Sequence, residues 1–236
     1  MNNQYIAIES VCKTYVETSS AQVVLDNITL YVEKGERIAL LGHSGCGKST
    51  LLNLISGIDY ADSGTISVNG VNLTDLSEKD RTLFRREHIG FVYQSFNLIQ
   101  TLTALENIQL PLQINGFDPK QIGDIAQTML ERVGLANRSS AFPDQLSGGE
   151  QQRVAIARAM VHSPALVLAD EHTGNLDADT GREMIDLFNE LATTSKQTVI
   201  MVTHSLNVAN TADRIVHFSN GKLVTDVSPD ASALAW

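Results

Sequence analysis

The chain has 236 residues, 43% hydrophobic and 19% charged, which suits one soluble globular domain with room for an inserted subdomain. A formal net charge of −10 argues against a nucleic-acid partner, which needs a basic stripe, and no apolar run approaches the ~20 residues that span a bilayer. The two cysteines, Cys12 and Cys46, and an N-terminus without a charged-then-apolar leader pattern point to a reduced, cytosolic setting.

Residues 5–11 alternate as a half-buried strand, and residues 25–32 do the same with Ile28, Leu30 and Val32. A turn at 33–36 leads into a short apolar run, 37–41, that ends at Gly42 as a buried strand should. Residues 42–50 then fit G-x-x-x-x-G-K-[ST], the phosphate-binding loop of nucleoside-triphosphatases. Gly42, Gly45 and Gly47 let the backbone bend and approach a phosphate with no Cβ in the way. The bend, which includes Ser44 and Cys46, presents N–H groups as a concave anion nest, and the helix that follows turns its positive end towards it. Lys48 is placed for the β- and γ-phosphates, the Ser49 hydroxyl for Mg²⁺, and Thr50 completes the phosphate and metal set.

Leu51, Leu52, Leu54 and Ile55 continue as a helix, with Gly57 where a C-cap belongs. Residues 64–68 form a strand closed by Asn69-Gly70, a tight-turn pair. These pieces predict a small antiparallel sheet beside a parallel one. Residues 73–86 are charged and helical, and 89–94 read as a strand ending on Gln94. From 95 to 158 strand signals are scarce, and leucine-rich helical stretches are broken at Pro111, Asn115-Gly116, Pro119, Gly134 and Pro143. Ser147 and Glu150 form a capping-box pattern for a helix that runs to about His162, and Pro164 ends it. Residues 165–169 are a buried-type strand ending in Asp170-Glu171. A helix over 178–192, a core strand over 198–203 ending at His204, and a hairpin around Asn220-Gly221 follow, before a loose tail.

The expected fold is therefore α/β: a RecA-like parallel core of the P-loop NTPase type, an antiparallel β part near the N-terminus, and an inserted α-helical subdomain. Residues 1–94 and 159–226 form the catalytic core, 95–158 the helical subdomain and 227–236 the tail. Asp170 at the strand end suits Mg²⁺ held through its water shell, and Glu171 suits orientation or deprotonation of the attacking water.

Leu146-Ser147-Gly148-Gly149-Glu150 resembles the signature motif of ATP-binding-cassette (ABC) ATPases. The order of phosphate loop, Gln94, signature, Asp170-Glu171, Asn175-Leu176-Asp177 and His204 is similar to that family over residues 5 to 226. The resemblance implies roles. Tyr15 would stack on adenine, and Gln94 would touch Mg²⁺ and water and sense a membrane partner. Ser147, Gly148 and Gly149 would bind the γ-phosphate of ATP held by the opposite copy, so that two ATPs are sandwiched in a head-to-tail homodimer. Asp177 would link the two sites, and His204 would contact the γ-phosphate. The other histidines, at 43, 88, 162, 172 and 217, show no metal-ligand spacing.

His172 departs from the family pattern, which has proline after the catalytic glutamate, and this bears on how Glu171 is positioned. Stretches 96–99, 101–107 and 173–177 look like the lipoprotein-release and macrolide-export branch. That implies an integral permease with few spans and a large periplasmic domain, and a peripheral place on the cytoplasmic face of the inner membrane. The alternative is a non-transport ABC ATPase acting as a nucleotide-dependent switch, for example with a cell-division membrane protein. A single cassette with a short helical insertion favours transport.

Overall fold

A computed structural model describes residues 4–17, 20–171 and 178–227. In chain order the elements are β1 (Gln4–Glu17), β2 (Ser20–Glu33), β3 (Arg37–Leu41), α1 (Lys48–Ile55), β4 (Ser63–Val68), β5 (Val71–Asn72), α2 (Glu78–His88), β6 (Ile89–Val92), α3 (Ala104–Ile114), α4 (Pro119–Arg132), α5 (Gly148–Met160), β7 (Leu166–Asp170), α6 (Ala178–Thr194), β8 (Thr198–Thr203), α7 (Leu206–Ala209), β9 (Arg214–Ser219) and β10 (Lys222–Val227). They fold as two units, one built from the residues up to Arg85 and those from Thr198 onward, the other from Arg86 to Gln197.

In the first unit, β1 lies between β2 and β4 in an antiparallel sheet of order β2-β1-β4-β5. The expected strand over 5–11 is corrected here, because β1 runs on to Glu17. The physical reason is a bulge. Ser10 takes φ 52 and Asn27 of β2 takes φ 56, and the register shifts there. Before the bulge Ile6 and Ile8 face the core; after it Val11 and Lys13 do. On β2 the inward residue switches likewise from Leu25 to Ile28, Leu30 and Val32. An alternation that changes parity mid-strand reads in sequence as the end of a strand.

The second group of strands in this unit has β3 paired in parallel with β8 on one side and with β9 on the other, and β10 antiparallel to β9. Residues 38–41 and all six residues of β8 are buried, as expected of parallel strands covered on both faces. Leu51, Leu52, Leu54 and Ile55 of α1 are at most 2% exposed, each burial contributing roughly 1.5–3 kcal/mol.

In the second unit β6 and β7 pair in parallel, and α3, α4 and α5 pack on one another. A Cβ on Gly90 would come within 2.1 Å of the Ala159 carbonyl, so glycine is what lets β6 pass this close under α5. Pro111 does not break the chain as expected, for it lies inside α3. It removes the N–H that would bond the Asn107 carbonyl. The helix persists because Ala104, Ile108 and Leu112 are fully buried on one face and a Thr103–Glu106 capping box fixes its start. The buried Asn107 side chain also accepts from the Ile99 N–H and donates to the carbonyls of Ile99, Leu102 and Thr103. The strand expected to reach Gln94 ends at Val92, and Gln94 lies in the turn beyond it.

Candidate nucleotide site

The phosphate loop in the first unit is shaped by main-chain contacts. Leu41 stands in register with Thr203, and the Gly42 N–H donates to the Thr203 carbonyl at 3.3 Å. His204, the next residue of the chain, therefore emerges exposed beside the start of the loop. A Cβ on Gly42 would meet the Phe218 carbonyl at 2.2 Å, and one on Gly47, at φ 110, would meet the Val24 carbonyl at 2.7 Å. The far side of the loop is tied to the β9–β10 turn: Gly221 N–H donates to the Cys46 carbonyl at 3.1 Å, and Asp26 N–H to the Gly221 carbonyl at 2.8 Å.

The loop fits a phosphate. Gly45, at φ 77, has nothing within 4 Å of the place a Cβ would occupy, which leaves a bare cradle. Gly47 is the N-cap of α1 and supplies no side-chain cap, so the first N–H groups of the helix are not taken by a protein side chain at that position. Lys48, only 4% exposed, donates to the carbonyls of Gly42 at 2.7 Å and His43 at 2.8 Å, and lies 3.5 Å from Cys46 Sγ. The ammonium is thus already inside the loop that a phosphate would enter. Ser49 and Thr50 follow in the first turn of α1, with Ser49 exposed.

Tyr15 lies on β1 past the bulge and is 39% exposed. Its hydroxyl donates to Asp59 Oδ2 at 2.6 Å and reaches the Thr50 side chain, which brings it to the phosphate-loop helix. Burial and the Asp59 carboxylate both push the Tyr15 phenol upward, so it stays neutral near pH 7. Burial opposes ionisation of Asp59, but the hydrogen bonds from Tyr15 and Lys13 outweigh it and hold the carboxyl below its ordinary value.

The second unit carries the other residues named from the sequence. Val92 is paired with Ala169, so Tyr93 and Gln94, just past β6, run level with Asp170, the last residue of β7, and Glu171 beyond it. Glu171 has φ 40, a left-handed backbone that a non-glycine residue adopts at a cost of about 1–2 kcal/mol. Such strain is retained where the side chain is needed in one direction. Asp177 and His172 lie outside the described residues.

Beyond Gln94 the chain passes through two successive left-handed residues, Phe96 at φ 56 and Asn97 at φ 50. Arg158 of α5 grips both: Nη2 donates to the Phe96 carbonyl at 2.8 Å and Nη1 to the Asn97 carbonyl at 2.6 Å. Burial lowers the Arg158 pKa, with Tyr93 acting in the opposite direction. This arginine escaped the sequence reading, since its only local signal is a place on a helix.

The N-terminus of the same helix is the signature. Ser147 is its N-cap: its Oγ accepts the Glu150 N–H at 3.3 Å, and its own N–H donates to Glu150 Oε2 at 2.8 Å, closing the expected capping box. Arg138 Nε donates to Glu150 Oε1 at 2.8 Å and Nη2 to Oε2 at 3.4 Å. The Arg138 guanidinium, then the Ser147 N–H, pull the Glu150 carboxyl down to about 2. Gly149 is required by packing as well, since a Cβ there would lie 2.8 Å from Thr180 Cγ2. Ser147 and Gly148 remain exposed.

Ser49 offers a hydroxyl, Gln94 an amide oxygen and Asp170 a carboxylate. That set of hard oxygen donors is chemically suited to Mg²⁺.

The family model of the ABC transporter matches residues 25–174. An uncharacterized ABC transporter ATP-binding protein of Mycobacterium tuberculosis is 51% identical over 229 residues, covering 97% of this chain and 92% of the relative. The lipoprotein-releasing system ATP-binding protein LolD of Colwellia psychrerythraea is 46% identical over 211 residues, covering 89% and 82%. Among solved structures, the ATP-binding cassette MJ0796, dimeric and bound to ADP and Pi in a post-hydrolysis state, superposes with a TM-score of 0.89 at 36% identity over 96% of this chain and 99% of that one. The chain therefore belongs to the ABC transporter family, as an ATPase subunit that resembles the lipoprotein-releasing LolD proteins.

Proposed function

We propose that the chain binds Mg·ATP, closes as a homodimer around two nucleotides, and uses their hydrolysis to drive an integral membrane permease of the lipoprotein-release or macrolide-export type. The observation that carries this reading is the phosphate loop itself, a bare glycine cradle with Lys48 inside it. Lys48 and the N–H groups of residues 42–50 hold the β- and γ-phosphates. Ser49, Gln94 and Asp170 would hold Mg²⁺, which would supply neutralisation of charge on the phosphates. Glu171 accepts a proton from the attacking water, and its left-handed backbone supports a fixed aim. His204 contacts the γ-phosphate and Tyr15 stacks on the base. Ser147, Gly148 and Gly149 address the γ-phosphate held by the other copy, and Asp177 links the two sites.

The permease has few spans and a large periplasmic domain, and the chain sits on the cytoplasmic face of the inner membrane. No helix among the described residues is long and apolar enough to cross a membrane, so the spans come from that partner. The homodimer is supported by the dimeric cassette that the chain resembles, and the permease by the lipoprotein-releasing relatives.

Turnover and binding of two variants test the reading. Glu171→Gln is expected to lose turnover by roughly 10²–10⁴-fold with ATP affinity kept, as for removal of a general base. Lys48→Ala is expected to lose ATP binding itself. A Glu171→Gln protein that hydrolyses ATP at the wild-type rate would overturn the assignment of the base.

A further inference from the structure

Lys13 is a charged side chain turned inward. The bulge at Ser10 reverses the facing of β1, and Lys13 ends at 8% exposure. Its Nζ donates to Asp59 Oδ1 at 2.9 Å and to the Tyr60 carbonyl at 2.7 Å, and lies over the Tyr15 ring, 5.0 Å from its centroid. The other oxygen of Asp59 accepts the Tyr15 hydroxyl at 2.6 Å. One carboxylate therefore holds both the cation and the phenol, and the ring is held by its edge and by one face. Asp62 anchors the backbone beside it: Oδ2 accepts the Thr14 N–H at 2.6 Å, and Oδ1 is 3.9 Å from Lys13 Nζ.

Holding Lys13 by ion pairing needs only Asp59. The added placement over the ring has a further consequence. A cation on one face is attracted by the ring quadrupole and leaves the opposite face for an aromatic guest. A ring fixed before binding also spares the guest the loss of side-chain freedom, a saving of about threefold to tenfold in affinity.

We infer that Lys13 and Asp59 are positioning residues for the nucleobase: they fix Tyr15 with one face covered, so that a purine is taken on the other. This rests on the reading of Tyr15 as the base platform. The bulge is then what makes the platform, because without the change of facing Cys12 would point inward in place of Lys13.

The test compares Mg·ATP with magnesium tripolyphosphate, which has the phosphates and no base, by calorimetry on the full chain. Lys13→Met is expected to weaken ATP about tenfold and tripolyphosphate less than twofold. Tyr15→Phe keeps the ring, removes its hydroxyl bonds to Asp59 and to the Thr50 side chain at a partly exposed site, and is expected to weaken ATP about threefold and tripolyphosphate less than twofold. That second variant carries the test should Lys13→Met fail to fold. Equal losses for both ligands, or no loss for ATP in either variant, would overturn the inference. Tyr15→Ala separates the two levels. If it weakens ATP while the Lys13 and Tyr15→Phe variants do not, the platform stands and the positioning pair falls. If Tyr15→Ala has no effect on ATP either, the platform and the inference fall together.

Discussion

Around residue 42 the main chain itself shapes a functional loop, whereas around residue 96 an arginine some sixty positions further along does so. In the first case carbonyls of Phe218 and Val24 stand where a side chain would be, and only glycine fits. In the second, two non-glycine residues adopt left-handed backbones and Arg158 holds them there by their carbonyls. A loop built from close main-chain approaches is rigid and intolerant. A loop pinned by one side chain can be released by moving that side chain, and the helix that carries Arg158 begins at the signature.

The largest effect should come from filling the tightest approach. Gly42→Ala is expected to destabilise the protein by about 3 kcal/mol in chemical denaturation and to abolish ATP binding. Gly45→Ala, with open space around it, should cost only ~1 kcal/mol of backbone strain. Similar losses at the two positions would break the claim that main-chain crowding shapes the loop.

Next is the pin. Arg158→Met should lower turnover about tenfold in a steady-state assay, with ATP affinity held within twofold. Adding Asn97→Gly, which accepts the left-handed backbone without help, should restore part of the rate. An unchanged rate in Arg158→Met would remove the pin from the account.

The smallest effect belongs to the signature start. Arg138→Met should lower the melting temperature by roughly 1–3 °C at neutral pH, as an exposed ion pair warrants. The sign with pH follows from Glu150, whose carboxyl falls from the ordinary 4.5 to about 2. A depressed carboxyl contributes stability that is complete above pH 4.5 and is lost as pH falls towards 2. The gap between wild type and Arg138→Met should therefore shrink on acidification, and a gap that widens would contradict the assignment.

The same contrast explains what could be read from the sequence. The glycine spacing at 42, 45 and 47, the apolar runs of β3, β7 and β8, and the Ser147–Glu150 capping box are local patterns, and each was legible. β1 was legible only as far as Val11, because the bulge at Ser10 inverts the alternation that marks a strand. Pro111 looked like a break because a missing N–H is a local signal, while the buried Asn107 network that sustains α3 is assembled by folding. Arg158, Arg138 and Lys13 left no trace, since their meaning lies in partners distant in sequence.

In the proposed function, ATP is the glue of a dimer in which each copy's signature addresses the other's nucleotide. The mass of Glu171→Gln in solution, measured by analytical ultracentrifugation with saturating Mg·ATP and again with Mg·ADP, decides this. A dimer with ATP and a monomer with ADP are expected. A protein that binds ATP and remains a monomer would contradict it.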